Sequence, residues 1–248
     1  MIHILQLTDT HLFADPEGSL YNINTRNTLY KVIKHVEKTH EHIDAVLLTG
    51  DLVHDESHVG YTALKTLLDT LDSPKYYLPG NHDDSTVMNQ LLDNCINDKL
   101  MSFEAGNWSI VLLDSSMPGK VEGALSAETL EGLEKYLSDT TGKHILIALH
   151  HHIIDVKSPW LDALNLRNHE QLTGLLERFP AVKLVINGHV HQEIDEQRNG
   201  IRYLGTPATC FQFAVNSESG GIDGRPPAYR HIELQDDGTI GTTVHYVE

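Results

Sequence analysis

Short, wholly apolar runs alternate with stretches of helical periodicity along most of this chain. Residues 2–7 read as a buried strand, and between 25 and 39 Leu29, Val32, Ile33 and Val36 fall on one helical face. Ala45-Val46-Leu47-Leu48 predicts a second buried strand. Residues 57–71 place Tyr61, Leu64, Leu67, Leu68 and Leu71 at helical spacing. A short strand follows at Tyr76-Tyr77-Leu78, then a helix over 84–93.

Further on, Met101-Ser102-Phe103 and residues 108–113 predict paired strands around the turn at Gly106-Asn107. A helix is expected over 126–138, a fully apolar strand over 145–149, a helix over 168–178 and a strand over 183–186. The rest is strand-rich: 193–197, 201–205, 210–215, 229–235 and 239–246, with turns at Asn199-Gly200 and Asp237-Gly238. Apolar strands separated by helices predict an α/β fold whose strands are covered on both faces. The strand-rich end predicts a second, more antiparallel sheet. No linker or repeat divides residues 1–248, so a single domain is expected, with a mobile Gly- and Pro-rich loop over 216–227.

Composition narrows the function. Against 18 Lys and Arg stand 35 Asp and Glu, a formal charge of -17. A nucleic-acid-binding surface would need basic residues to displace phosphate counterions, so none is expected. Two cysteines, Cys95 and Cys210, read as reduced core residues rather than a disulfide framework. The opening apolar run is too short for a signal peptide and no stretch is long enough to span a membrane. A cytoplasmic protein without a membrane partner is expected. The unusual number is 17 histidines, a composition that points toward metal.

Each apolar strand finishes in a group able to bind metal: Asp9 and His11, then Asp51, then Asn81 and His82, then His150, then His189 and His191. In open α/β sheets, ligands bind beyond the carboxyl ends of the strands. Residues far apart in sequence are therefore predicted to meet on one rim. Carboxylate, imidazole and amide oxygen suit a divalent ion such as Mn, Fe, Zn or Co, not a thiolate site. A carboxylate at Asp51 can bridge two such ions. Taken singly, each piece is weak, since Asp-x-His can cap a helix and Gly-Asp can be an ordinary turn. Their recurrence at successive strand ends carries the argument.

These blocks resemble the calcineurin-like metallophosphoesterase superfamily, whose signature runs Asp-x-His, Gly-Asp, Gly-Asn-His-Asp or Glu, His, then Gly-His-x-His. Here it stands as Asp9-Thr10-His11, Gly50-Asp51, Gly80-Asn81-His82-Asp83, His150 and Gly188-His189-Val190-His191. The resemblance implies a four-layer α/β/β/α sandwich, two mixed sheets flanked by helices, with a two-metal centre at the sheet ends. Leu7 to Phe13, His150-His151-His152, Trp160-Leu161-Asp162, Leu166-Arg167-Asn168, Gly205 to Phe213 and Tyr229 to Leu234 are similar to the bacterial class III cyclic nucleotide phosphodiesterases. That similarity implies hydrolysis of 3′,5′-cyclic AMP to 5′-AMP by a hydroxide bridging two divalent ions, and a homodimer. Asp9, His11, Asp51 and His191 would hold the first ion; Asp51, Asn81, His150 and His189 the second. Asn81, His82 and His191 would contact substrate, with Asn81 and His82 as catalytic groups.

The chain departs from the family pattern at Ile153-Ile154, where a proline is usual, and over 216–227, where an aromatic-containing stretch is usual. The same site chemistry serves other phosphodiesters, phosphomonoesters and dinucleoside polyphosphates, which are the alternative substrates. A non-catalytic scaffold of this fold would have lost ligands, and every ligand position here is competent. Position in the chain makes Asn22, Arg167 and residues 206–213 candidates for reading the base. His54 and Asp55 are candidates for orienting the ligands, and His151 and His152 for supporting them or lining the substrate rim. His35, His40 and His42 are expected on a solvated helix end.

Overall fold

A computed structural model of the chain describes residues 1–248. The first apolar run is β1 (Ile2–Leu7); a small hairpin of β2 (Ser19–Leu20) and β3 (Ile23–Asn24) then leads into α1 (Thr25–Thr39). Next come β4 (Ala45–Thr49), α2 (His58–Leu68), β5 (Lys75–Leu78) and α3 (Ser85–Leu91). The middle gives β6 (Leu100–Ala105), β7 (Trp108–Leu113), α4 (Ala127–Asp139), β8 (His144–Leu149), the single turn α5 (Pro159–Asp162), α6 (His169–Leu176) and β9 (Val182–Asn187). The chain closes with β10 (Ile194–Arg198), β11 (Ile201–Gly205), β12 (Ala228–Leu234) and β13 (Ile240–Tyr246).

Local signals set the element ends. Asn24, Ser57, Asp84 and Ser126 cap α1, α2, α3 and α4, each side chain accepting from a backbone N–H of the first turn. Asn199 and Gly200 both take positive φ, 48° and 84°, which suits the two-residue turn joining β10 to β11.

The first sheet runs β13-β12-β1-β4-β5, with β1, β4 and β5 parallel, β12 antiparallel to β1, and β13 antiparallel to β12. The second runs β10-β11-β9-β8-β7-β6, with β7, β8, β9 and β11 parallel and the edges β10 and β6 antiparallel. Ile4, Leu47 and Ile232 meet Ile110, Leu146 and Ile186 between the sheets. Leu29 and Val32 of α1 and Tyr61 and Leu64 of α2 cover the outside of the first sheet. Leu133 of α4 and Leu172 and Leu176 of α6 cover the outside of the second. The expected four-layer α/β/β/α sandwich with two mixed sheets is what forms.

The structure differs from expectation in three places. The strand-rich end builds no sheet of its own: β10 and β11 extend the second sheet, while β12 and β13 extend the first. The free edge of β1 opposite β4 needs a partner, and β12 supplies it. Residues 210–215 form no strand; they stay irregular because their backbone serves the site described below. His42 is exposed as expected, but His35 and His40 are half-buried, their rings packed tilted or edge-on against Tyr229, His231 and His245 where β12 and β13 run beside the end of α1.

Cys95 and Cys210 are free and buried. Burial pushes the Cys95 thiol up to about 12 and raises Cys210 well above the usual thiol range. Because the thiolate is the reactive form, a thiol-specific disulfide reagent should label neither residue until the protein is unfolded by denaturant. Rapid labelling of the native protein would contradict this. No helix is long and apolar enough to cross a membrane.

Candidate metal centre

The carboxyl ends of β1, β4 and β5 in one sheet and of β8 and β9 in the other open onto one rim. There the chain turns sharply. Asp9, His11, Asp51, His189 and His191 all adopt positive φ, between 44° and 66°, the left-handed region that disfavours most side chains. Strain of this kind costs about 1–3 kcal/mol per residue and persists where the surroundings enforce it. Backbone bonds between the loops enforce it here: Asp9 N donates to Gly50 O (2.9 Å), His11 N to Asp51 O (2.9 Å) and Gly188 N to His150 O (3.1 Å). Two glycines allow the close approach. A Cβ on Gly80 would stand 2.2 Å from Asp51 Oδ1, and one on Gly188 would stand 2.1 Å from Thr8 Oγ1.

The turns bring the strand-end side chains together. His191 Nε2 lies 3.2 Å from Asp9 Oδ1, and His11 Nε2 lies 3.6 Å from Asp51 Oδ2. On the other side of Asp51, His150 Nε2 lies 3.4 Å from Oδ1 and 3.2 Å from Asn81 Oδ1. Asp51 thus stands between a group containing Asp9, His11 and His191 and a group containing Asn81 and His150. His189 joins the second group, its ring 5.0 Å from that of His150. Both carboxylates are nearly excluded from solvent, Asp9 at 0% and Asp51 at 3% exposure.

Neighbouring carbonyls fix which ring nitrogens face the centre. His150 Nδ1 donates to Thr49 O (2.8 Å) and His191 Nδ1 to Phe211 O (2.9 Å), so each Nε2 points inward. Burial would raise both carboxyls, but His191 holds Asp9 below its ordinary pKa and His150 holds Asp51 well below it. Burial lowers His11 to about 3 and depresses His189 strongly, keeping both imidazoles in the neutral form that binds metal. Burial would lower His150 too; the Asp51 charge outweighs it and pushes His150 up to about 9, so a cation bound there would displace a proton. His189 Nε2 is buried with no hydrogen-bond partner. Buried carboxylates, inward lone pairs and an orphaned imidazole nitrogen are a donor set that fits divalent ions.

Above this floor lies a cavity of about 380 Å³. His11, Asp51, Asn81, His82, His189 and His191 line its polar side. Tyr21, Trp160, Phe211 and Phe213 line the other, with Leu20, Val121, Leu161 and Leu164. Phe213 lies 4.4 Å from the His191 ring and meets Trp160 edge-on at 4.9 Å. Tyr21 meets Phe211 edge-on at 5.0 Å.

The sequence matches the Calcineurin-like phosphoesterase family over residues 2–193. The chain belongs to this family. A 3′,5′-cyclic-nucleotide phosphodiesterase of Nostoc sp. is 39% identical to it over 246 residues, which cover 99% of this chain and 92% of that one. The 3′,5′-cyclic adenosine monophosphate phosphodiesterase CpdA of Escherichia coli strain K12 is 39% identical over 245 residues, covering 98% and 89%. Among solved structures, a dimetal phosphatase from Danio rerio aligns with a TM-score of 0.72 over 100% of this chain and 99% of that one. At 15% identity that likeness concerns the fold alone. The calcineurin-like phosphoesterase fold implies divalent metal ions, and the clusters Asp9–His11–His191 and Asp9–Asp51–His150 are spaced to hold them.

Other sequence candidates of this phosphoesterase divide. His54 is drawn in, its Nδ1 3.2 Å from His11 Nδ1. Asp55 is not: it accepts from Ala14 N and from Ser57, shaping the loop. His151 and His152 are both fully buried. His151 is held by Ser115 Oγ (2.8 Å) and Val121 O (2.9 Å), while His152 faces Asp162 at 3.6 Å. Neither lines the cavity; their rings lie 4.8 and 5.8 Å from that of His189. Ile153 and Ile154 are buried in the outer core of the second sheet. Arg167 pairs with Glu122 away from the cavity, and Asn22 occupies the β2–β3 turn beside Tyr21, the residue that does line it. Of 206–213, Phe211 and Phe213 face the cavity.

Asp83 ends the Gly80–Asp83 motif, but sequence alone assigned it no task. Its carboxylate accepts from Gly80 N, Leu52 N, Val53 N and Tyr61 Oη. It thereby ties the Asp51 turn to the Asn81 turn. Burial and then the Asp51 charge push it up to about 6. The one signal was its place in the motif; its partners are backbone groups that no sequence pattern displays.

Proposed function

We propose that this calcineurin-like phosphoesterase hydrolyses 3′,5′-cyclic AMP to 5′-AMP at a centre holding two divalent ions. The observation that carries the reading is the division of the cavity. One side offers the Asp51 carboxylate, imidazoles and an amide but no lysine or arginine; the other is aromatic and apolar. An anionic phosphodiester on such a floor needs cations the side chains do not provide, in a protein of charge -17. The aromatic side suits a nucleobase. The activities named for the Nostoc and Escherichia coli relatives agree.

Asp9, His11, Asp51 and His191 are assigned to one ion, and Asp51, Asn81, His150 and His189 to the other. Ions of the Mn, Fe, Zn or Co type, held by these residues, would neutralise charge on the phosphoryl oxygens and acidify water toward neutral pH. The Asn81 amide, beside His150 in the floor, can donate to a phosphoryl oxygen. In the reaction water adds to phosphorus, the P–O3′ bond breaks and the 3′-oxygen takes up a proton. His82 is half-buried at the cavity lip, its ring 5.2 Å from that of His11, and is assigned to give that proton. The reading treats the whole chain as one working domain, and its substrate and two free cysteines fit a cytoplasmic setting.

Turnover of 3′,5′-cyclic AMP, 3′,5′-cyclic GMP, 2′,3′-cyclic AMP and an aryl phosphodiester by the metal-loaded protein tests the substrate. Cleavage of the others without 3′,5′-cyclic AMP would exclude it. For His82→Ala, kcat on cyclic AMP should fall by about 10²–10⁴-fold. A p-nitrophenyl diester, whose leaving group needs no proton, should lose far less. Equal losses on both substrates would remove the proton-donor role.

A further inference from the structure

Histidines also gather at the far end of the first sheet, remote from the catalytic rim. His3 on β1 is the register partner of Glu233 on β12, and His231 lies two residues before Glu233. Side chains alternate along a strand, so all three project from the same outer face. His3 Nδ1 and His231 Nε2 are 3.1 Å apart, with the rings parallel to within 3°. The ligating atoms of His3, His231 and Glu233 all lie within 4.8 Å of one another.

Ligands about 2.0–2.1 Å from a tetrahedral zinc ion stand about 3.3–3.4 Å from each other, so the two nitrogens, which share a hydrogen bond at 3.1 Å, need only open by a few tenths of an ångström to share an ion instead. The surroundings hold them there. His3 N donates to Asp44 Oδ2 (2.7 Å), which fixes the start of β1. The His40 ring lies 4.6 Å from that of His231, and its Nε2 sits 3.0 Å from the Tyr229 hydroxyl. His3 opens β1 and Asp9 follows its end, so about six residues of strand, roughly 20 Å, separate this cluster from the catalytic centre.

We propose that His3, His231 and Glu233 form a second, non-catalytic site for a borderline divalent ion such as Zn²⁺. Two imidazoles and one carboxylate select Zn²⁺, Co²⁺, Ni²⁺ or Cu²⁺ over Mg²⁺ or Ca²⁺, which prefer oxygen. Three protein ligands leave one position for water. The ion cross-links β1 to β12, the pair that joins the carboxyl-terminal strands to the first sheet.

The test is zinc stoichiometry. Chelator-stripped full-length protein is dialysed against Zn²⁺, and bound metal is measured for wild type, His231→Asn and His3→Asn. Melting curves show which variants are folded. The expected result is loss of one equivalent of zinc from each folded variant, with turnover at the catalytic centre unchanged. In an Asp51→Asn background, the remaining zinc should disappear when His231→Asn is added. Equal zinc content in wild type and a folded variant would overturn the proposal, leaving the pair as a hydrogen-bonded histidine stack.

Discussion

Asp51→Asn should cut kcat/KM for cyclic AMP by about 10³-fold or more and strip metal from the catalytic pair. Asp51 is the one side chain placed between the two ligand groups, 3.6 Å from His11 and 3.4 Å from His150, and it also accepts from His82 N (2.9 Å). Asn keeps the shape and one oxygen but loses the charge that draws cations and orders both imidazoles. The substitution should not unfold the protein. Asp51 sits at a φ of 54°, a region Asn tolerates at least as well as Asp. Compared as metal-free proteins, variant and wild type should melt close together, since shape and backbone conformation are kept; with metal present the wild type should melt higher by the ions it binds and the variant does not. The check is product formation, metal content and melting measured on one preparation. Near-wild-type turnover by Asp51→Asn would contradict the dinuclear reading. An inactive variant that has kept its metal would show instead that the carboxylate acts on substrate and not on the ions.

Residues that meet their structural fate locally were legible in the sequence. Val46, Leu47 and Leu48 are apolar without alternation because both faces of β4 are covered, and the strand stands where the run predicted it. The strand-end polar residues were legible for the same reason, since strand ends in an α/β sheet share one rim. Residues 210–215 misled because Cys210, Phe211 and Phe213 carry the apolar content of a strand. Their backbone is committed elsewhere: Phe211 O orients His191, Phe213 N donates to His191 O (3.2 Å) and Gln212 O accepts from Asp223 N (3.0 Å). The His3–His231–Glu233 group was invisible for a different reason. It exists only through the register of β1 on β12, across more than two hundred residues of chain. Sheet partners are set by tertiary packing, and the strand-rich end held no local mark of which sheet each strand would join.

Arg230→Met should destabilise the protein by about 3–5 kcal/mol, which for a chain of this size lowers Tm by on the order of 10 °C. Arg230 projects from β12 into the space between the sheets and is 1% exposed. Its guanidinium donates to Thr206 Oγ1 (3.0 Å), Thr242 Oγ1 (3.0 Å), Gly205 O (2.9 Å) and Ile194 O (3.2 Å). Three of these partners belong to or adjoin the second sheet, so one side chain bonds the two sheets together. Burial pulls its pKa down to about 10, so it stays charged at neutral pH. The charge itself is therefore held at a cost, and the stabilisation lies in the acceptors it satisfies. Methionine fills the volume but leaves buried carbonyls unpaired. The damage should reach the catalytic rim as well. Thr206 donates to Gln6 Oε1 (2.6 Å), and Gln6 Nε2 donates to Thr49 Oγ1 (2.9 Å) and Asn187 O (3.1 Å). Thr49 and Asn187 each lie two residues before a predicted ligand, Asp51 and His189. Arg230→Lys, with fewer donors, should recover only part of the stability. A methionine variant that melts with the wild type would show that the sheets are held by their apolar interface alone.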